Sequence, residues 1–535
     1  MKRIVLLAII ILGFITAITN AQIITIPADF TTIQAGINAA SDGDTVLVDE
    51  GYYFENINFK GKAITVASNF ILDGDTSHIS KTIIDGSQPS NQDSASVVTM
   101  ISGEDENSKL IGLTITGGSG TIYTTTDRYG MSGAGILIAY SGATITNNII
   151  EHNDMIQEIH DEEIDPIGGG IGIFEGTTVI IQDNTIRYNN IVSGWGGQGA
   201  GVCVFGHDIL IDHNHIYGNR VDSRWGIGAG ICYFSLTEGE KAVFSNNEIH
   251  ENGLYLIQQY NDRMSGGGIW METPNNTETV EIYNNLIYKN HTDQYGGAIA
   301  SRSGDNYLIY NNTIVDNTAG LGGKNLSLEK NGALAADFTM FNNIIYISDG
   351  SSDNIWMVSQ AKINLFNNLI TGTQESDNFD ADPYFISDSY ELSDSSICIG
   401  RGVDSIEFKG TWYLSPERDF YGSVRPDTEA DHLVDLGAIE SGYSIYPQVG
   451  IGQIHYDNNI DCTVYPNPVD KLINIEYKKV GKYTVEITSV NGQLLYSENI
   501  IESRHQIDLS SFEKGVYFIT IRSKDFVTTR KIIKL

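Results

Sequence analysis

Cysteine is nearly absent: the 535 residues hold four, Cys203, Cys232, Cys398 and Cys462. Four thiols make two bridges at most, so a disulfide framework cannot be what holds a chain of this length together. Proline is sparse as well, at 10 residues against 56 glycines, which excludes Pro-rich spacers and leaves the turns to Gly and Asn. Basic residues are the third shortage. The 32 Lys and Arg face 67 Asp and Glu, for a net charge of −35, and a surface of that sign repels nucleic acid and anionic lipid. The deficit is uneven, since from Thr463 onward 11 Lys and Arg outnumber 8 Asp and Glu. Long apolar runs are missing too. The one candidate covers residues 4–18 behind Lys2 and Arg3, short of the ~20 residues that span a bilayer. With Thr19 and Ala21 after it, this run reads as a secretory leader cut after Ala21, and no Cys follows the cut to take a lipid.

What the chain has in quantity is Gly, Asn, Ile, Val and 28 Tyr, the composition of short strands joined by tight turns. It is also repetitive. An Asn-x-Ile phrase with a second Asn five residues after the first occurs at Asn148 and Asn153, then at 184 and 189, 214 and 219, 247 and 252, 285 and 290, and 312 and 317; Asn343 and Asn368 carry the first half only. Intervals of 36, 30, 33, 38, 27, 31 and 25 residues separate the first asparagines, so the phrase is held while the length varies. Before each comes a glycine phrase: SGAGILI, GGGIGIF, GQGAGVCVF, GIGAGICYF, SGGGIWM and YGGAIAS. Ile136, Ile171, Val202, Ile231, Ile269 and Ile299 follow the glycines with the period of a strand, and Ile145, Ile180, Ile211, Phe244, Ile282 and Ile309 mark a second inward strand. One repeat is then one coil of a solenoid of parallel strands, roughly ten coils between about residues 40 and 400 at ~4.8 Å each. Stacked asparagines at a corner would each donate to one neighbouring coil and accept from the other. Cys203 and Cys232 hold the same place in successive coils, so they stack either as a bond or as two small residues in one column.

The opening ADFTTIQAGINAASDGDTVLVDEGYYFENI contains a short amphipathic helix with Ile33 and Ile37 one turn apart, suited to cover the first coil, and a first strand at 45–48. This segment resembles the N-terminus of pectin-lyase-like right-handed parallel β-helix proteins. Gly51, Tyr53 and Glu55 match the G-x-Y-x-E of pectin methylesterases, without a counterpart of that family's catalytic Asp motifs. The phrases DPYFI, SSICIGRG, DFYGSVRP and DLGAIE resemble the closing segment of secreted bacterial β-helix proteins. After residue 460 the pattern changes to alternating strands with a turn at Asn491-Gly492, a small β-sandwich. YPNP at Tyr465, NGQLL at Asn491 and LSSFEKGVYFITI at Leu509 resemble the type A sorting domain of the type IX secretion system of Bacteroidota. The resemblance implies passage across the outer membrane to the surface or beyond. The expected organisation is therefore all-β: a leader at 1–21, a right-handed β-helix with a helical cap at 22–445, a linker at 446–460, and a sorting β-sandwich at 461–535 that the secretion machinery engages. A monomer with no transmembrane segment in the mature chain is expected.

Function should sit on the insertions between the second Asn and the next glycine phrase, which emerge along one edge. Arg128, Tyr129, Trp195, Arg224, Trp225, Arg263 and Tyr295 occur there. Aromatic faces take sugar rings, and guanidinium groups hold hydroxyls or carboxylates; the same rings could instead shield the edge of the stack. Asp161, Glu162, Glu163 and Asp165 crowd one loop, as carboxylates that coordinate Ca²⁺ do, although the spacing matches no defined calcium loop. Polysaccharide is the expected partner. Three functions stay open: a glycan-binding surface protein, a polysaccharide lyase acting on uronates with Arg224 or Arg263 as base, and a non-catalytic adhesive scaffold. The clustered Asp and Gly-His-Gly of polygalacturonases are missing, with Gly206-His207-Asp208 the nearest approach.

Overall fold

A strand that carries apolar side chains on both faces must be covered on both, and that requirement shapes this molecule. The computed structural model describes residues 21–535 except 125–128, 158–164, 207, 258–262, 274–277, 332–333, 374–377, 387–388, 428–432, 444–461, 478–481, 490–493, 502–503 and 523–526. It divides into two compact units, Met1–Gly442 and Tyr443–Leu535. Residues 1–20 of the expected leader and the whole expected linker, 446–460, lie outside the described residues.

In the first unit the middle coils visit four sheets. One coil runs through Ile171–Gln182 in a long sheet, Thr185–Arg187 in a second, Asn190–Val192 in a third and Gly196–Gln198 in a fourth, before Val202–Phe205 opens the next. Register partners between coils are parallel, as in Ile171 with Val202, Ile186 with Ile216 and Ile191 with Val221. Stacking begins earlier than the sequence suggested. Ile23–Ile26 pairs with Thr45–Val48 ahead of it in the column, because Ile24 and Ile26 turn inward and continue the core.

The core inside the coils is a stack of Ile, Val and Phe, among them Ile145, Ile211, Phe244, Ile282 and Ile309. Ile180 is a correction: Ile181 is the buried residue there and the register partner of Ile145 and Ile211, because Val179 and Ile181 take the inward positions of that strand. A second cluster lies on the outer face of the long sheet, where Leu137, Phe174, Cys203, Phe205, Cys232 and Trp270 pack with Ile167 and Ile227 of the fourth sheet. The fourth sheet thus lies against the outside of the long one. Cys203 and Cys232 are register partners in this layer, buried, and not joined by a disulfide. The glycine phrases make the corner: Gly228 has φ 57°, and a Cβ there would sit 2.3 Å from Ile231 O.

Two asparagine ladders run along the coils. Asn148 N–H donates to Asn184 Oδ1 at 2.9 Å, Asn184 to Asn214 at 3.0 Å, Asn214 to Asn247 at 2.9 Å and Asn247 to Asn285 at 2.9 Å, while each Nδ2 also donates to a backbone carbonyl of the coil before it. The first ladder ends at Asn378, and the second passes from Asn317 to Asn325 and Asn354. The residues before the first-ladder asparagines from 148 to 368, such as Asn147, Asp183, His213 and Asn284, have φ of 50–58°. Asn and Asp tolerate that left-handed bend better than most side chains.

At the start, the helix Ile33–Ala39 buries Ile33, Gly36 and Ile37 against the first strands, with Thr32 as N-cap. Glu55 accepts the N–H groups of Ile33 and Gln34 at 2.8 and 3.0 Å. The G-x-Y-x-E motif therefore closes the helix N-terminus, where a carboxylate meets unpaired N–H groups and the positive end of the dipole. At the far end Arg425 is fully buried, donating to Glu440 Oε2 at 3.0 Å, Asn284 Oδ1 at 2.7 Å and Gly437 O at 3.1 Å. The second unit is a three-stranded and a four-stranded antiparallel sheet around Ile473, Val485, Ile507, Ile519 and Ile532. No helix among the described residues is long and apolar enough to cross a membrane.

Candidate functional site

Rings line up along the outer face of the long sheet because the same position in successive coils carries Phe174, Phe205 and Phe234. Their centroids are 5.5 and 4.4 Å apart and nearly parallel. In the next coil the column turns polar, with Glu272 as the register partner of Phe234, while Trp270 swings in at 4.6 Å from the Phe234 ring. A cavity of about 740 Å³ opens at this break, inside the range of about 300–1,000 Å³ common for small-ligand pockets. Asp165, Trp195, Gln198, Trp225, Ile227 and Arg263 line it from the fourth-sheet side; Phe234, Ser235, Leu236, Trp270, Glu272, Arg302 and Asn331 line it from the long sheet.

Its polar groups are of two kinds. Some are held by protein: Glu272 Oε1 accepts from Asn331 Nδ2 at 2.6 Å, and Arg263 is ion-paired with the fully buried Glu329, whose Oε1 also accepts from Ser265 at 2.6 Å and Ser327 at 3.2 Å. Burial pushes the Glu329 carboxyl up, and the Arg263 charge opposes that shift. Others have no partner among the described residues. Gln198 Oε1, Trp270 Nε1 and Arg302 Nε are shielded from solvent and meet no hydrogen-bonding atom there.

Of the residues singled out in the sequence, Trp195, Trp225, Arg263 and Asp165 meet in this cavity. Arg224 lies over the Trp195 ring at 4.6 Å and does not line the cavity. Tyr295 is also outside the lining, its ring packed on Trp356 at 4.3 Å. Tyr129 is in the strand Tyr129–Ser132, and nothing is described of its side chain. Arg128, Asp161, Glu162, Glu163 and His207 lie outside the described residues. Sequence reasoning missed Gln198, at the end of the fourth-sheet strand Gly196–Gln198, and Trp270, Glu272, Arg302 and Glu329, which sit within or just after the glycine-led strands and not on the long insertions. The break from Phe to Glu in one column was their signal.

Residues 463–535 match the family described as a secretion system C-terminal sorting domain, and residues 91–266 match the right-handed β-helix region family. The chain is a right-handed β-helix protein with a C-terminal type IX sorting domain. Such a domain directs the protein to the cell surface or the outside of the cell. No curated protein matches the chain significantly. Among solved structures, the complex of XylC with xylose is similar at 12% identity over 79% of this chain and 98% of that one, with a TM-score of 0.31, a likeness too loose to bear on ligand.

Proposed function

We propose that this secreted β-helix binds polysaccharide, with one or more sugar units seated in the cavity beside Trp195 and Trp225. The observation that carries the reading is the set of shielded, unpartnered polar atoms in an aromatic-lined cavity: an acceptor at Gln198 Oε1 and donors at Trp270 Nε1 and Arg302 Nε. A buried polar atom left unmet costs about 1–3 kcal/mol, and sugar hydroxyls both donate and accept. Indole faces stack on the apolar face of the ring. Binding is favoured over a lyase by the state of the two arginines. Arg263 is ion-paired with the buried Glu329 carboxylate, and Arg224 lies over the Trp195 indole outside the cavity lining, so neither is placed as a base must be, within reach of the proton it would take from a seated sugar.

The test is calorimetric titration with a panel of neutral and uronate-containing polysaccharides, run beside an assay for unsaturated uronates. Trp225→Ala is expected to weaken the best ligand several-fold, equivalent to about 1 kcal/mol, while a cooperative melt of the variant shows that it remains folded. If no glycan in the panel binds, or if Trp225→Ala binds like the native chain, the proposal fails. Release of unsaturated uronates would make the protein a lyase instead.

A further inference from the structure

The outer face of the second sheet carries a different chemistry. With Ile186, Ile216, Ile249 and Ile287 turned into the core, the residues either side of them face outward in two columns. Thr185, His215, Glu248 and Leu286 form one, and Arg187, Tyr217, His250 and Tyr288 form the other. Three of these converge. His215 Nε2 is 2.7 Å from His250 Nε2 and 3.5 Å from Glu248 Oε2, and one ligand atom from each of the three residues falls within 4.8 Å of the others.

We propose that His215, Glu248 and His250 bind one divalent transition-metal cation of the zinc class. Two imidazole nitrogens aimed at one point beside a carboxylate oxygen are the donor set that such ions take, whereas Ca²⁺ and Mg²⁺ prefer oxygen alone. Zinc–nitrogen bonds of about 2.0–2.1 Å at tetrahedral angles hold ligand atoms roughly 3.3 Å apart. Entry of the ion therefore needs the two rings to part by only about half an ångström. Three protein donors leave a further position to water or to a donor from outside.

The surroundings hold the ligands in this arrangement. His250 lies flat between Tyr217 and Tyr288, with centroids at 4.9 and 4.7 Å and planes within 4° and 3°. The Tyr288 hydroxyl donates to Glu248 Oε1 at 2.5 Å, which leaves Oε2 on the side of the histidines. On its other edge His250 Nδ1 has the Glu251 carboxylate 3.6 Å away, beyond hydrogen-bond reach. Outer hydrogen bonds such as that from Tyr288 to Glu248 orient metal ligands, and losing one typically weakens affinity about 10–100-fold. The bland alternative is a histidine pair sharing one hydrogen, with no ion.

The experiment is titration of the full chain with Zn²⁺ after removal of metal by a chelator, in excess Ca²⁺ so that diffuse binding to a chain of net charge −35 is occupied. One saturable zinc equivalent is expected. His215→Ala and Glu248→Gln should each weaken it by at least about tenfold, and Tyr288→Phe by a similar factor through its hold on Glu248. His291→Ala, a histidine on the third sheet beside Asp293, should change nothing. Glu248→Gln keeps the shape of the side chain, and matching melting temperatures of the metal-free proteins would show that the fold is intact. The proposal is overturned if the native chain takes up no saturable equivalent, or if the His215→Ala/Glu248→Gln double variant binds zinc as the native chain does.

Discussion

Asn285 is bonded on both sides of its own coil. Its Nδ2 donates to Phe244 O at 2.8 Å and Asn312 Oδ1 at 2.9 Å, and its Oδ1 accepts from Asn247 N at 2.9 Å and Asn247 Nδ2 at 3.0 Å. All of this is buried, so Asn285→Ala orphans several groups that water cannot reach. Each such group costs about 1–3 kcal/mol, and the substitution is expected to destabilise the β-helix by about 3 kcal/mol or more. Denaturant melts of the variant and the native chain check this. The ladder is the part of the structure most legible from sequence, because every rung makes the same bonds and so needs the same residue. The cavity was less legible, since Trp270 and Glu272 depart from their columns and a departure has no repeat to announce it.

At the scale of elements, the closing segment is fastened by buried hydrogen-bonded ionisable groups. Arg425 bonds to Glu440, Asp435 accepts from Gly400 N at 2.6 Å and Ser441 N at 2.7 Å, and Ala438 N–H donates to Thr313 Oγ1 at 3.0 Å on the coils themselves. Burial pushes Asp435 up to about 6 and Glu440 up to about 7. Unfolded, both would titrate near 4. Between about pH 4 and pH 7 the folded state thus binds protons that the unfolded chain has released, so the contribution of this pair is fullest below that window and falls as pH rises through it. The melting temperature of the native chain should drop between pH 5 and pH 7.5 by more than that of Glu440→Gln, which cannot titrate. Parallel slopes in the two proteins would refute the assignment of this pair. Breaking the contact with Arg425 will lower the variant overall, but the difference in slope is the diagnostic quantity.

For the molecule as a whole, the two units have separate apolar cores and opposite charge balance. A chain cut before residue 461 should fold its β-helix with an unchanged melting transition. Lacking the sorting domain matched at 463–535, it should accumulate in the periplasm. Cell fractionation checks this, and normal amounts of the truncated protein outside the cell would refute the role given to the second unit.

The solenoid, its ladders, its helical cap and its sorting domain can all be read from the amino-acid sequence. Each is a local pattern whose chemistry is complete within a few residues or is repeated at every coil, so spacing and residue type were enough. What the insertions and glycine-led strands bring together emerges from the packing of the coils in three dimensions. Trp195 and Trp225 share a cavity while Tyr295 packs on Trp356, and Arg263 finds Glu329. His215 meets Glu248 and His250 across a coil boundary. These meetings depend on the register between coils and on the fourth sheet lying over the long one. Coil lengths from 25 to 38 residues hide that register in one dimension, because loops of any length can return the chain to the same column.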